Sequence, residues 1–545
     1  MVMHCFLLAL IGIGWTLAVS AQMPVGWEEP LPSGPMRDDY ALTPDSQRQP
    51  DVPQGRVTTL SLEDSAVFPG TRRDIQLYIP AQYHADKPAC VYVGLDGLGM
   101  HAPVVFNNLI HKGEMPVTVG IGLTPGSVPS AGGGDSPRFN RSFEFDGLSD
   151  RLCRFLLDEV FPLVEQQKTA DGQPVRLSRD PNDRSAGGGS TGGIGAFTLA
   201  WERPDQFRRV FSAIGTFVGM RGGDRYPVLV RKTEPKPIRV FLQDGHHDQW
   251  LGGPEVGDWW IGNVALNRAL EFAGYDVRHV WGTGPHSGNH ANAVFPDAVR
   301  WLWRDWPAPL AAAPNTNLNV FLNQILMPGE GWTLTGRAPD GAATLTADAD
   351  GAVTARAFGP GAAAQSFALP NGDRYEAEPR GGTLALVKAD GARRTVAEGL
   401  AVPAGVAVTP DGKWLAAIES STHWGTSFRI EPDGSLTCGQ RYYWFHVPDA
   451  DEDIGSGQCV FDVDGRLYVA TRLGVAVQDR NGRTRAILPI PNADGSPAAE
   501  AVVFGGEAFD TLYVLAGGNL FKRKLRVSGL PPAASFRKLP PWGAG

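Results

Sequence analysis

The stretch that decides the fold is Gly188-Gly189-Ser190-Thr191-Gly192-Gly193. It follows a short small-residue segment, 185–187, and precedes a helix-like stretch, 193–201. A strand that turns directly into a helix strains the residue at the turn, and flanking glycines remove the steric clashes. Such a turn exposes the Ser190 hydroxyl at a helix N-terminus, where the N–H of Thr191 and the helix dipole favour negative charge. A plain glycine-rich loop is the alternative in a chain of 545 residues with 67 glycines.

Strand and helix patterns alternate on both sides of this turn. Residues 73–79 alternate polar with apolar side chains, and residues 90–95 form a continuous apolar run, which is typical of a strand covered on both faces. The other predicted strands are 117–123, 210–214, 238–243 and 277–281, and the predicted helices are 104–111, 149–167, 259–273 and 293–303. This alternation predicts an α/β architecture with a mostly parallel sheet and flanking helices.

A serine nucleophile needs a histidine base and an acid that orients the histidine. Asp248 follows a late strand and is preferred over Asp244, because it lies farther into the loop; Asp244 is then a structural turn carboxylate. His286 follows the next strand and is preferred over His290. The order Ser190, Asp248, His286 is that of the α/β-hydrolases, and it predicts a catalytic triad.

A second oxyanion donor besides Thr191 is expected in the turn after an early strand, at the N–H of Gly97 or Leu98. The adjacent His246 and His247 are only a weak sign of a metal, because neighbouring side chains face apart in an extended chain. We expect no metal and no other cofactor.

Aromatic residues flank the loop that carries the predicted acid. Trp250, Trp259 and Trp260 are candidates for stacking on a sugar or a phenolic acyl group, with packing in the core as the alternative. His290 is a further candidate for substrate binding, or else it caps the next helix.

The N-terminus has the features of an exported protein. Residues 6–14 are apolar, and small residues precede Gln22, so residues 1–21 are expected to be a signal peptide, with a membrane anchor as the alternative. Residues 22–56 are rich in Pro, Asp, Gln and Ser and are expected to form an extended leader. We expect a secreted or periplasmic protein.

The net charge limits the classes of binding partner, and the cysteine content limits the possible disulfide bridges. A net charge of −9 without a long Lys/Arg run argues against nucleic acid and, after signal cleavage, against membrane as partners. One of the five cysteines, Cys5, lies in the signal. The sequence leaves undecided whether Cys438 and Cys459 form a disulfide bridge.

The residue pattern of the sequence changes after an Ala/Pro/Asn-rich linker, 308–325. Helical periodicity disappears from residues 326–545, and Asp-Gly or Asn-Gly pairs recur with glycines at 351, 372, 391, 412, 434, 465 and 482. Such pairs favour tight hairpins in which both central residues have positive φ. Spacings of 40 and 43 residues between Gly351, Gly391 and Gly434 match a four-stranded propeller blade. About 220 residues fill only about five blades of ~40–45 residues, so we expect an incomplete propeller, with a β-sandwich as the alternative.

Residues ~57–307 resemble the esterase D and enterochelin-esterase-like α/β-hydrolases, which include the acetylxylan and feruloyl esterases of carbohydrate esterase family 1. The matching stretches are 141–146, 151–159, 189–193 and 203–207. Carried over, the resemblance implies the triad Ser190, Asp248 and His286. The family's Gly-Gly-His motif reads Gly284-Pro285-His286 here.

Residues 326–545 resemble the gluconolactonase and regucalcin-like six-bladed propellers, with matches at 406–412, 465–471 and 509–514. That family holds a divalent metal with a Glu, an Asn and an Asp. No Glu-Gly-Pro follows Trp332, and Ala404 and Gly457 stand in the segments that correspond to the other two ligands. The resemblance therefore implies a propeller without lactonase activity.

Taken together, the sequence favours a secreted serine esterase that removes acetyl or feruloyl groups from plant polysaccharide, with a carbohydrate ester as its partner. The alternatives are a sugar lactonase in the C-terminal domain, a siderophore esterase, and a carbohydrate-binding protein without activity.

Overall fold

The structure is a computed structural model that describes residues 31–130, 137–249, 255–312, 317–357, 363–448, 453–455, 457–492 and 495–541. The expected signal peptide, 1–21, lies outside the described residues. An α/β region comes first, and a region of small antiparallel sheets follows it. Within the described residues, no helix is long and apolar enough to cross a membrane.

The strands of the α/β region are β1 Arg56–Leu62, β2 Arg73–Ile79, β3 Cys90–Leu95, β4 Thr118–Leu123, β5 Ser127–Val128, β6 Arg138–Phe139, β7 Arg184–Gly189, β8 Arg209–Ala213, β9 Arg239–Gly245 and β10 Asp276–Gly282. Its helices are α1 Ala102–His111, α2 Arg141–Phe145, α3 Arg151–Phe155, a π-helical turn Leu156–Val160, α4 Phe161–Glu165, α5 Thr191–Glu202, α6 Tyr226–Lys232, α7 Trp259–Ala273 and α8 Asn289–Trp303. Helix α9, Val320–Ile325, precedes the second region.

Eight of these strands form one sheet in the order β1-β2-β4-β3-β7-β8-β9-β10. The first two strands run antiparallel to their neighbours, and the pairs from β4 to β10 are parallel. Apolar side chains of α1 and α8, such as Phe106 and Phe295, pack on one face. Helices α3, α5 and α7 cover the other face through side chains such as Phe197 and Leu266. The predicted α/β fold is confirmed, and the carboxyl ends of the parallel strands share one edge.

The strands of the second region are β11 Thr333–Arg337, β12 Ala342–Ala347, β13 Val353–Ala357, β14 Gln365–Ala368, β15 Arg374–Glu378, β16 Thr383–Val387, β17 Arg393–Ala397, β18 Pro403–Val408, β19 Trp414–Glu419, β20 Trp424–Ile430, β21 Leu436–Trp444, β22 Cys459–Phe461, β23 Leu467–Thr471, β24 Gly474–Gln478, β25 Thr484–Leu488, β26 Ala501–Gly505, β27 Thr511–Ala516 and β28 Asn519–Lys524.

These strands form four four-stranded sheets and the two-stranded sheet β12-β13, in a propeller-like ring. Strand β11 pairs with β28, so the beginning and the end of the region close one blade together. Strands β12, β14, β18, β22 and β26 line a central cavity of about 300 Å³. Two glutamines connect them there: Gln365 bonds to backbone groups of Val406 and Cys459, and Gln458 to those of Leu345.

The predicted turn glycines all have positive φ, between 71° and 91°. The aspartate or asparagine before each glycine does not, so the expectation that both central residues have positive φ is wrong. In each turn the glycine N–H donates to the carbonyl three residues earlier, as Gly351 does to Asp348. Aspartates stabilise several of these turns; Asp348, for example, accepts the N–H groups of Asp350 and Ala352. These hairpins therefore use a turn followed by a left-handed glycine.

The two regions contact each other through α6 and the strand edge at β25. The N–H of Glu234 donates to Ile487 O, and Arg523 of β28 forms a two-point ion pair with Glu234, at 2.7 and 2.9 Å. Cys438 is exposed and Cys459 is buried, and both are free thiols, so they do not form a bridge.

Candidate active site

Ser190 occupies the sharp turn between β7 and α5, with φ 57° and ψ −124°. These angles are costly for a residue with a side chain, and such strain concentrates at functional sites. The glycines make the turn sterically feasible: a Cβ on Gly188 would lie 2.6 Å from the backbone of Gly192, and one on Gly193 would lie 2.8 Å from Ser212 Oγ. Glycines on both sides of Ser190 are therefore a requirement of the turn.

The structure brings the three predicted triad residues together from three parallel strand ends. The Ser190 hydroxyl lies 3.0 Å from His286 Nε2, and His286 Nδ1 lies 2.6 Å from Asp248 Oδ1. Since the buried Asp248 carboxylate accepts at Nδ1, that nitrogen carries the proton, and Nε2 accepts from Ser190. The Asp248 side chain is buried, whereas His286 remains partly exposed toward the site. This is the geometry of nucleophile, base and orienting acid.

His290, the other candidate base, lies elsewhere. It is buried in the first turn of α8, its Nδ1 lies 3.1 Å from the Gln243 amide, and its ring stacks on Tyr40 at 3.9 Å. Burial lowers the pKa of His290 to about 4, and the nearby Asp38 opposes this only in part. His290 is thus a neutral packing residue, and its predicted role in substrate binding is wrong for this structure because Tyr40 covers the ring.

The expected second oxyanion donors are both used inside the fold. The N–H of Gly97 donates to Leu123 O at 3.2 Å, and the N–H of Leu98 donates to Gln76 Oε1 at 2.8 Å. Neither amide is free for an oxyanion, so this prediction is wrong for this structure. Thr191 opens α5, where the first N–H groups have no acceptor within the helix. It remains the predicted donor.

The tryptophans differ from the stacking surfaces that the sequence suggested. Trp259 and Trp260 are 2% and 4% exposed, so their faces are closed to a sugar, and core packing describes them better. Trp259 still supports the site: its indole N–H donates to Thr216 Oγ1 at 3.3 Å, and its ring lies 5.9 Å from that of His286. Trp250 lies outside the described residues.

Thr216 and the leader are parts of the site that the sequence did not reveal. The Thr216 hydroxyl lies 3.5 Å from Ser190 Oγ. Asp38 and Tyr40, which precede His286 by more than 240 positions in the chain, bond to the loop that carries it. No local pattern marks such distant contacts.

Near the helix that follows Ser190, Arg141 donates two hydrogen bonds to Asp96, at 2.8 and 2.7 Å. Asp96 Oδ2 lies 3.2 Å from where a Cβ of Gly192 would be.

Across the described part of the chain, no group of three or more His, Cys, Asp or Glu side chains is arranged to hold a metal ion.

Comparison with known proteins adds to this geometry. Residues 65–324 match the family described as "Putative esterase". Residues 335–518 match the SMP-30/gluconolactonase/LRE-like region, so both expected resemblances are confirmed at family level. The esterase-family match supports a carboxylic ester hydrolase. The domain bounds 22–56, 57–307, 308–325 and 326–545 stay predictions.

Solved structures similar to the chain include the enterobactin esterase of Shigella flexneri, at 18% identity and a TM-score of 0.35. The match covers 47% of this chain and 61% of that one, so the chain spans about three fifths of its length. The feruloyl esterase module of Clostridium thermocellum is 12% identical, with a TM-score of 0.36, and the match covers 51% of this chain and 98% of that module. None of the curated proteins searched matches the chain.

Proposed function

We propose that this protein is a secreted serine carboxylic-ester hydrolase that removes acetyl or feruloyl groups from plant polysaccharide. The observation that carries the proposal is the continuous hydrogen-bonded relay from Asp248 through His286 to Ser190, at 2.6 and 3.0 Å. The nucleophile at the end of that relay has the strained backbone of a strand-to-helix turn.

In the proposed reaction, Ser190 Oγ attacks the ester carbonyl carbon while its proton passes to His286 Nε2. The N–H of Thr191 and the N-terminus of α5 stabilise the oxyanion of the tetrahedral intermediate. The imidazolium then protonates the leaving alcohol as the C–O bond breaks, which leaves an acyl group on Ser190. His286 next takes a proton from water, the hydroxide attacks the acyl carbon, and the released Ser190 recovers the proton. Asp248 stays ionised and holds the His286 tautomer throughout.

The substrate class rests on the resemblance of residues ~57–307 to carbohydrate esterases and on the presence of a second, propeller-like region. A glycan ester uses both: the α/β domain cleaves the ester, and the propeller contacts the polymer. Secretion rests on the signal-like residues 1–21 and is tested by N-terminal sequencing of exported protein, which should begin at Gln22.

The test is a panel of p-nitrophenyl acetate, acetylated xylan, feruloylated arabinoxylan, a catecholate siderophore ester and a sugar lactone. Ser190→Ala should lower kcat by a factor of roughly 10³–10⁶ on every ester that the wild type cleaves, because triad members act as a unit. Ser61→Ala, at an exposed serine of the edge strand β1, is the matched control and should keep full activity. Cleavage of only the siderophore ester or only the lactone would overturn the substrate class.

A further inference from the structure

Two buried aspartates lie four positions apart: Asp244 near the end of β9, and Asp248 in the loop that follows this strand. The side chains of Asp244 and Asp248 are both fully buried. Each has one oxygen with a donor: Asp244 Oδ1 accepts the N–H of Gly245 at 2.7 Å, and Asp248 Oδ1 accepts from His286 Nδ1 at 2.6 Å. The other oxygen of each, Oδ2, is buried and has no hydrogen-bond donor among the described residues. Asp248 lies close enough for its charge to act on Asp244.

Two ionised carboxylates only accept hydrogen bonds, so a bond between them requires one proton. Two negative charges in a buried site also repel each other, and one carboxyl then holds its proton to unusually high pH. Burial raises the pKa of Asp244 well above its usual range, and the charge of Asp248 acts in the same direction. Asp258, at the N-terminus of α7, adds further negative charge.

The remaining ionisable groups here are His286, on the loop after β10, and His246 and His247, on the loop of the pair itself. Among the described residues, no Lys or Arg forms an ion pair with either carboxyl; the ion pair of Asp248 is with His286. Of the two, Asp248 is the better place for the charge, because it accepts from the His286 N–H, whereas Asp244 accepts the backbone N–H of Gly245.

We propose that Asp244 is held protonated and donates its O–H to Asp248 Oδ2, so that the orienting acid of the triad is a carboxyl pair with a single negative charge. The inference rests on the proposed function. Asp244 acts through Asp248 and is a positioning residue. Its hydrogen bond occupies the second oxygen of Asp248, stabilises the ionised form and fixes the carboxylate plane that holds the His286 tautomer.

Two substitutions of Asp244 by residues of similar volume distinguish a hydrogen bond donated to Asp248 from a role of Asp244 in packing alone. Asp244→Asn keeps a donor toward Asp248 and an acceptor for Gly245, so we expect kcat/KM within about threefold of wild type and an unchanged acidic limb of the pH profile. Asp244→Leu removes the donor. We expect it to lower kcat by about 10-fold or more and to move the acidic limb upward by about one pH unit, since a hydrogen bond to a charged group is lost and uptake of a proton by the Asp248–His286 pair becomes easier.

Infrared spectroscopy tests directly whether the Asp244 carboxyl is protonated, and it does not require catalytic turnover. With ¹³C-labelled aspartate, the wild type at neutral pH should show the carbonyl stretch of a buried protonated carboxyl, and Asp244→Asn should lack it. Circular dichroism melts establish that each variant is folded. If Asp244→Leu does not fold, the infrared comparison of wild type with Asp244→Asn decides alone.

The proposal is overturned if the protonated band is absent from the wild type, if it persists in Asp244→Asn, or if folded Asp244→Asn is as damaged as Asp244→Leu. An unmoved acidic limb in folded Asp244→Leu also overturns it. The infrared outcome does not depend on esterase activity, so a failure of the proposed function, seen as full activity in Ser190→Ala, is distinguishable from a failure of the carboxyl pair.

Discussion

Substitution of Asp38 should slow the reaction although this residue lies far from Ser190 in the chain. The Asp38 carboxylate accepts hydrogen bonds from the Ser287 hydroxyl and from Asn289 Nδ2, the latter at 2.9 Å. Ser287 directly follows His286, and Asn289 begins α8 three positions after it, so Asp38 holds one side of the loop that carries His286. On the other side, the N–H of Thr283 donates to the Tyr40 hydroxyl at 3.3 Å.

The size of the effect follows from these two bonds. Each is a hydrogen bond to a charged group at a partly exposed site, so together they are worth about 1–2 kcal/mol, at the low end of the usual range. If that free energy is lost from the arrangement in which His286 reaches Ser190, kcat/KM of Asp38→Ala falls by about 5–30-fold. The loss should appear mainly in kcat, because neither bond contacts the substrate.

The assay is steady-state hydrolysis of p-nitrophenyl acetate by wild type, Asp38→Ala and Asp39→Ala. Asp39 is an exposed neighbour whose carboxylate bonds, within the described residues, only to Arg37, at 2.6 Å, so it is a matched control and should stay within about twofold of wild type. Equal kcat for Asp38→Ala and wild type, or equal losses in both variants, would refute the idea that the leader positions the base.

Further outcomes follow from the same geometry. Gly188→Ala should yield little folded protein, measured as soluble monomer by gel filtration, because its Cβ would lie 2.6 Å from the backbone of Gly192. Glu234→Ala should lower the free energy of unfolding by about 2–4 kcal/mol in urea titrations, because it leaves the buried Arg523 guanidinium without its carboxylate, while small-ester turnover stays unchanged. His290 has its pKa lowered to about 4, so the unfolded chain binds more protons below about pH 6.5; stability should fall as pH drops from 6.5 toward 4, and His290→Asn should flatten that part of the curve in thermal melts. EDTA should leave ester hydrolysis unchanged, since the relay supplies its own base; loss of activity that added Ca²⁺ or Zn²⁺ restores would contradict this.

The elements that sequence predicted well have local causes. Helix α7 spans 259–273 as its periodicity indicates, and the bounds of the predicted strands of the α/β region agree with the structure within two residues. Burial of one or both faces of a helix or strand requires apolar residues at regular spacing, and this spacing is visible in the sequence. The turn at Ser190 is local only in part: Gly188 is required by its contact with Gly192, four residues away, whereas Gly193 is required by its contact with Ser212 of β8. The three strand ends then bring Ser190, Asp248 and His286 together because they share one edge of a parallel sheet.

The features that sequence missed depend on contacts between distant segments. The N–H groups of Gly97 and Leu98 are used by Leu123 and Gln76 of neighbouring strands, which a loop motif does not reveal. Trp259 and Trp260 carry the same aromatic signal whether they lie on a surface or in the core.

The leader and Asp244 were missed for the same reason. The contacts of Asp38 connect segments almost 250 positions apart, and Asp244 differs from a turn carboxylate only through the burial of Asp248 beside it. In each case the tertiary environment gives the side chain its role.

The central claim is that Ser190 is the nucleophile of a serine esterase, and covalent labelling tests it most directly. A fluorophosphonate probe followed by peptide mass spectrometry should give a single adduct on Ser190. Labelling should be lost in Ser190→Ala and strongly slowed in His286→Ala, but not in Ser61→Ala. An adduct on another residue, or p-nitrophenyl acetate hydrolysis by folded Ser190→Ala above about a tenth of the wild-type rate, would contradict the account.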